Sequence, residues 1–278
     1  YYKGLLKINT DIKVIQNLNE FEKEVINVIN VVDLDIDDFE IGEVSALCGD
    51  AAYRYIEKAI EAAKKGEVKA VATAPLNKEA LHLGGHNFAG HTEIFATLTD
   101  TNKYAMMLTN DNFRVIHVST HVSLREACDR AKKERILDVI NLANDTLKKM
   151  GIENPRIAVA GLNPHAGENG LFGYEEIEEI IPAVDKALKL GLTVEGPIAP
   201  DTVFLKAHKG KYDVVVAMYH DQGHIPMKML AFDTGVNMTV GLPIIRTSVD
   251  HGTAFDIAGK GIAKGDSMIE ALKVAELF

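Results

Sequence analysis

The 278-residue sequence is poor in cysteine, short of basic charge and without long apolar runs. Two cysteines, Cys48 and Cys128, are too few for a disulfide framework and too far apart for a CxxC site. No secretory pattern opens the chain, so a reducing, cytoplasmic setting is expected. No uncharged apolar stretch approaches the ~20 residues that span a bilayer, and no membrane partner is expected. Lys and Arg number 30 against 40 Asp and Glu, a net charge of -10. That balance argues against a nucleic-acid partner, because a phosphate backbone needs a basic surface. An anionic small substrate would have to find its positive charges gathered locally. GxGxxG after a strand, Walker A, GxSxG, HExxH and a cysteine nucleophile with an ordered histidine are all absent. A Rossmann nucleotide site is therefore not supported.

What is present is an alternation. Apolar residues make up 47% and charged residues 25%, the balance of a globular protein. At about 150 residues per domain, the length suits one large domain or two ordinary ones. Val68–Ala74, Tyr104–Leu108, Arg114–Val118, Arg156–Gly161 and Asp213–Met218 read as buried strands, and Val236–Leu242 is strand-like. Between them, Ala51–Lys65, Glu93–Leu98, Leu124–Met150 and Tyr174–Leu190 carry helical periodicity. Ser123-Leu124-Arg125-Glu126 has capping-box spacing, so a helix should start just after Ser123. The pattern predicts an α/β protein with a parallel or mixed sheet. No repeat or linker divides the chain, so a second domain would be interleaved with the first. The acidic run Asp33–Glu40 reads as a solvated loop.

Polar residues cluster where strands end, and in α/β sheets those ends line the ligand crevice. His121, His165 and His220 each follow a predicted strand or its loop. Three neutral imidazoles brought together would form an open shell for Zn²⁺ or a similar divalent ion. Taken singly, each is more readily a hydrogen-bonded loop histidine. Lys228 and Arg246, with Asn237 between them, could hold a phosphate or carboxylate, or be two solvated cations. His91 and Thr92 open a helix whose free N–H groups suit an anion, although Thr92 could equally be its cap. Asp201 is either a turn carboxylate or a group that orients a ligating histidine.

At these residues the sequence resembles the 4-hydroxythreonine-4-phosphate dehydrogenase family. The matching stretches are Thr73-Ala-Pro-Leu-Asn-Lys-Glu-Ala80, Gly90-His-Thr-Glu93, Thr120-His121, Leu162-Asn-Pro-His-Ala-Gly-Glu168, Tyr219-His-Asp-Gln-Gly223 and Gly241-Leu-Pro-Ile-Ile-Arg-Thr-Ser-Val-Asp-His-Gly-Thr-Ala254. They extend from about Gly42 to the C-terminus. The tail His251-Gly-Thr-Ala-Phe-Asp-Ile-Ala-Gly-Lys-Gly261 is also similar to the adenosine-binding loop of isocitrate and isopropylmalate dehydrogenases. The family's usual N-terminal stretch, Met-Gly-Asp-Pro-Ala-Gly-Ile-Gly, is not in this sequence, which begins Tyr1-Tyr2-Lys3. A strand and loop near the cofactor cleft are expected to be missing with it. His224 resembles the branch that acts on 4-phospho-D-threonate or 4-phospho-D-erythronate.

The resemblance implies an isocitrate/isopropylmalate dehydrogenase-like α/β fold of two interleaved domains, residues 1–85 with 245–278 and residues 86–244, around a cleft. It implies His121, His165 and His220 as ligands of one divalent ion (Zn, Mg, Mn or Co). It gives His91, Thr92, Lys228, Asn237 and Arg246 to the phosphorylated substrate, and Asp250, His251, Gly252 and Asp256 to NAD or NADP. Asp201, Asp221 and Asp250 are candidate bases. The implied activity is metal-dependent oxidation of a small phosphorylated hydroxy acid, with decarboxylation, by a homodimer whose site the partner subunit could complete. The alternatives are a phosphate acyltransferase of the same superfamily and a non-catalytic phospho-acid binding protein.

Overall fold

The computed structural model describes residues 1–111, 113–231 and 234–278. In chain order its elements are α1 (Tyr2–Leu5), β1 (Ile12–Ile15), β2 (Ile26–Ile29), α2 (Ala46–Lys64), β3 (Ala70–Thr73), α3 (Lys78–Leu83), α4 (His91–Leu98), β4 (Ala105–Asn110) and β5 (Phe113–His117). There follow α5 (Leu124–Arg130), α6 (Lys133–Lys149), β6 (Ile157–Ala160), α7 (Ile181–Lys189), β7 (Val194–Ile198), α8 (Pro200–His208), β8 (Val214–Ala217), α9 (His220–Ala231), β9 (Val236–Val240), β10 (Ile245–Val249) and α10 (Asp266–Glu276). Strands β1 and β2 form a separate parallel ribbon. The other eight make one sheet in the order β3-β10-β9-β4-β5-β8-β6-β7, antiparallel around β9 and β4 and parallel towards both edges. The mixed α/β class predicted from the sequence is the one found.

Side-chain alternation gives the sheet two different faces. On one, Met107, Ile116, Val214, Val216 and Met238 pack with Ile136, Ile140 and Leu147 of α6, Ala183 and Ala187 of α7, and Ala271 of α10. On the other, two helical groups stand apart. Ile56 and Ile60 of α2, Leu81 of α3, and Ile94 and Phe95 of α4 pack with Val71 of β3. Val203 of α8 and Met227 of α9 pack over Leu108, Val115, Val215 and Ala217. Between these groups lies a cleft of about 690 Å³, floored by the strands in the middle of the sheet.

Two predicted helices are interrupted, each for a tertiary reason. The Ser123 side chain accepts from the Glu126 N–H as expected, but α5 ends at Arg130. Glu179 then accepts from the Lys133 N–H at 2.8 Å and from Lys132 Nζ at 2.9 Å, capping a new helix, α6. The Tyr174–Leu190 segment opens with a π-helical turn over Glu176–Ile180 before α7. That turn carries Glu176, 1% exposed, back to the loop after β6. Its Oε1 accepts from the Leu162 and Asn163 N–H groups, both at 2.7 Å, and its Oε2 from Asn163 Nδ2 at 2.9 Å. The loop itself runs left-handed from His165 to Asn169, with φ of 53, 53, 79, 42 and 56°.

Candidate active site

Arg246 anchors the cleft floor. It pairs across the sheet with Thr239, whose neighbour on β4 is Met106, and Met106 in turn lies beside His117 on β5. The Arg246 side chain is 3% exposed. Its Nη1 donates to Thr239 Oγ1 at 3.0 Å and its Nη2 to Thr73 Oγ1 at 2.8 Å, while Nε is buried without a partner among the described residues. The guanidinium lies 5.6 Å from the centre of the Phe95 ring. Among the described residues no carboxylate offsets it, and burial pushes its pKa down to about 10. A buried cation held only by neutral hydroxyls is costly in an empty site and favourable once an anion arrives.

The cleft wall adds donors. Gly90, not Thr92, is the N-cap of the eight-residue α4, so Gly90, His91 and Thr92 bring its first N–H groups to the cleft. Thr92 instead shares a hydroxyl contact with Thr239 at 3.4 Å. Asn237 also lines the floor, with Oδ1 buried and unpartnered among the described residues. Burial, and then the charge of Arg246, pushes the His91 pKa down to about 4, so its ring is neutral at pH 7.

Four histidines lead away from this floor. His117 is 1% exposed, with Nδ1 donating to the Met106 carbonyl at 3.3 Å and Nε2 buried without a hydrogen-bond partner among the described residues. The His224 ring centre lies 4.7 Å from it, His220 is stacked on His224 at 3.6 Å, and His121 stands 5.6 Å from His220. Burial first, and the neighbouring imidazoles second, hold the pKa values of His117, His224 and His121 below the usual range. Asp221 Oδ1 accepts from His220 Nδ1 at 2.6 Å, which leaves Nε2 as the nitrogen open to an ion.

Of the three predicted metal ligands, the structure brings His121 and His220 together but not His165. That residue is exposed on the left-handed loop, near Phe172. Among the described residues, no group of three His, Cys, Asp or Glu side chains is placed to hold an ion. The two imidazoles fit a divalent transition metal by chemistry, and the site needs a further donor.

The remaining predicted residues separate. Lys228 does not face an open anion site alone: its Nζ is ion-paired with Asp250 Oδ2 and also donates to the Asp250 carbonyl at 3.2 Å. His251 lines the cleft, and its Nδ1 donates to the Gly252 carbonyl at 2.9 Å. Asp256 lies in the short 3-10 turn Phe255–Ile257. Thr253, Phe255 and Ala258 of the same loop line a second cavity of about 290 Å³, which shares Pro75 and Leu76 with the cleft. Asp201 is exposed in the first turn of α8 and does not line the cleft. Sequence reasoning passed over His117, Thr239 and Glu176. His117 alone carried a signal, as a histidine between the apolar residues Val115, Ile116 and Val118 of a predicted strand.

The pattern of the family described as "Pyridoxal phosphate biosynthetic protein PdxA" matches residues 2–275. A D-threonate 4-phosphate dehydrogenase from Salmonella typhimurium is 54% identical over 269 residues, 96% of this chain and 82% of that one. A putative D-threonate 4-phosphate dehydrogenase from Oceanobacillus iheyensis is 58% identical over 250 residues, 89% of this chain and 75% of the relative. The solved structure of a putative 4-hydroxythreonine-4-phosphate dehydrogenase from Salmonella typhimurium superposes with a TM-score of 0.91 at 53% identity, covering 99% of this chain and 85% of the other. With the cleft, its buried arginine and the histidine row in place, these matches lead to one conclusion: the chain belongs to the PdxA family.

Proposed function

We propose that this protein is a D-threonate 4-phosphate dehydrogenase, oxidising a 4-phosphorylated hydroxy acid with NAD or NADP. The observation that carries the reading is Arg246, a buried cation with no carboxylate partner among the described residues, set in a cleft that His91, His117 and His121 also line. The substrate phosphate is read onto Arg246 with His91, Thr92 and Asn237 around it. Arg246 Nε and the first N–H groups of α4 supply the hydrogen bonds, offsetting locally the net charge of -10. The nicotinamide nucleotide is assigned to the loop of Asp250, His251, Gly252 and Asp256 and to the cavity beneath it.

His121 and His220 are the proposed ligands of a divalent ion, which would supply Lewis-acid stabilisation of charge developing on substrate oxygen. Asp221 fixes the tautomer of His220. The third ligand, His165, is assigned to a second copy of the chain. Leu171, Phe172, Tyr174 and Ile177 stand exposed beside His165, and Ile225 and Met229 stand exposed on the helix that His220 begins. Such apolar groups suit a homodimer interface. Of the three carboxylates considered as base, Asp250 is preferred. It stands between Val249 and His251, which both line the cleft, whereas Asp201 lies away on α8 and Asp221 serves His220. The base would take the hydroxyl proton, and a nicotinamide held at that loop would supply the hydride acceptor. Oxidation β to the carboxylate then weakens the bond to that carboxylate, which departs as CO₂ while the adjacent carbon takes up a proton.

The test is NADH or NADPH formation at 340 nm with 4-phospho-D-threonate and with 4-phosphohydroxy-L-threonine, each with chelator or with added Zn²⁺ or Mg²⁺. Metal-dependent turnover preferring 4-phospho-D-threonate is the expected result. Absence of signal with both substrates overturns the reading and brings the acyltransferase and binding-protein alternatives forward.

A further inference from the structure

Metal-ligand geometry depends on what holds the ligand ring, and His220 is held from two sides. Asp221 secures its Nδ1 at the exposed edge. On the inner side its ring lies flat on His224, with centres 3.6 Å apart and planes 9° from parallel. His220 and His224 are one helical turn apart on α9, so the two rings share a face. His224 is itself fixed. It is 9% exposed, its Nδ1 donates to the His220 carbonyl at 3.0 Å, and His117 closes off its far side at 4.7 Å. The contact with His117 is close enough to demand glycine at the intervening position. A Cβ on Gly223 would lie 2.4 Å from His117 Nε2.

We infer that His224 is a positioning residue for His220: with His117 behind it, its stacked ring sets the plane in which His220 meets the ion. This rests on the reading of His220 as a metal ligand. His224 needs no contact with substrate to act. A ring free to swing at His220 would spend less time in the ligating orientation, and partners that orient a ligand commonly change metal affinity 10–100-fold when removed. The plane of the ring carries the effect, so an aromatic replacement should preserve it and an aliphatic one should not.

The experiment uses Co²⁺ alone as probe, titrated into the purified full chain and followed by its visible absorption bands. Thermal unfolding of the metal-free protein is measured in parallel. His224→Ala is expected to weaken Co²⁺ binding at least about tenfold and to alter the band shape, with His224→Phe staying within about threefold of the parent. A merely structural role would lower the unfolding temperature without moving the Co²⁺ affinity of the folded protein, and that result overturns the inference. Should His224→Ala fail to fold, His224→Phe with a tenfold loss of affinity overturns it as well. His220→Ala separates the two levels of the argument. If it abolishes binding while His224→Ala leaves binding intact, the positioning role alone fails. If it leaves binding intact, the assignment of His220 fails and the positioning role falls with it.

Discussion

Replacing Arg246 with methionine should leave the empty protein about as stable as before and remove its response to phosphate. The depression of the Arg246 pKa from 12.5 to about 10 corresponds to about 3 kcal/mol of penalty for carrying the charge in the buried site. Methionine of similar length relieves that penalty. It also loses two hydrogen bonds to threonine hydroxyls, each about 1 kcal/mol, and a cation–π contact with Phe95 of about 1 kcal/mol. Neither hydroxyl is stranded, since Thr73 also donates to the Thr247 carbonyl and Thr239 meets Thr92. The opposing contributions nearly cancel, so Arg246→Met should lie within about 1 kcal/mol of the parent in urea unfolding. An arginine buried against a carboxylate would instead cost about 3 to 5 kcal/mol to remove. Inorganic phosphate at about 100 times its Kd, at constant ionic strength, should then stabilise the parent by about 2.7 kcal/mol and the variant hardly at all. A variant that loses 3 kcal/mol or more without ligand, yet still gains stability from phosphate, would refute the argument that Arg246 is an anion receptor.

Three further outcomes follow from the packing and charge of the site. Gly223→Ala would drive its Cβ to 2.4 Å from His117 Nε2 and 2.6 Å from Val115 Cγ1. A loss of about 2 kcal/mol in urea unfolding is expected, and an unchanged midpoint would contradict this packing. Glu176→Ala strands the buried N–H groups of Leu162 and Asn163 and should cost about 3 to 5 kcal/mol, with Glu176→Gln costing less because an amide oxygen still accepts. Equal losses for the two variants would show that Glu176 acts through something other than these bonds. His91 has a folded-state pKa of about 4 against 6.5 unfolded, so the unfolded chain takes up its proton first. Its contribution is complete above pH 6.5 and is lost as the pH falls towards 4, a span worth about 3 kcal/mol. His91→Asn should flatten the decline in stability over that window, and an unaltered acid limb would remove His91 from the account.

Local pattern gave away the strands well because their residues face packed helices on both sides. Val214–Ala217 and Ile157–Ala160 are buried throughout, and both read as apolar runs. Strand β10 was hidden because the polar residues Arg246, Thr247 and Ser248 occupy its centre, of which Arg246 and Ser248 line the cleft and bond across the sheet. Helix α9 was hidden for the opposite reason. Gly223 and Pro226 argue against a helix locally, yet close approach to His117 requires the glycine. The break between α5 and α6 depends on Glu179, far along the chain, and no window of sequence contains that contact. The same limit applied to the site. His121, Asn237 and Arg246 could be selected by residue type and position, and all line one cleft. That Lys228 is committed to Asp250, or that His165 stands apart from His121 and His220, depends on side-chain directions no spacing rule encodes.

The left-handed run from His165 to Asn169 makes the loop after β6 a loaded spring. Three of its five residues, His165, Ala166 and Glu168, are neither glycine nor asparagine, and each in that conformation costs roughly 1–2 kcal/mol. The catch is Glu176, whose carboxylate grips the loop's entrance at Leu162 and Asn163. Nothing equivalent is needed to keep a glycine left-handed, so Ala166→Gly would relieve one residue's share of the tension without touching the catch. The present sequence keeps the tension, and with it a loop whose default on release is to move away from its present shape. Removal of the Glu176 carboxylate should therefore be felt at His165 through backbone handedness rather than through side-chain contact.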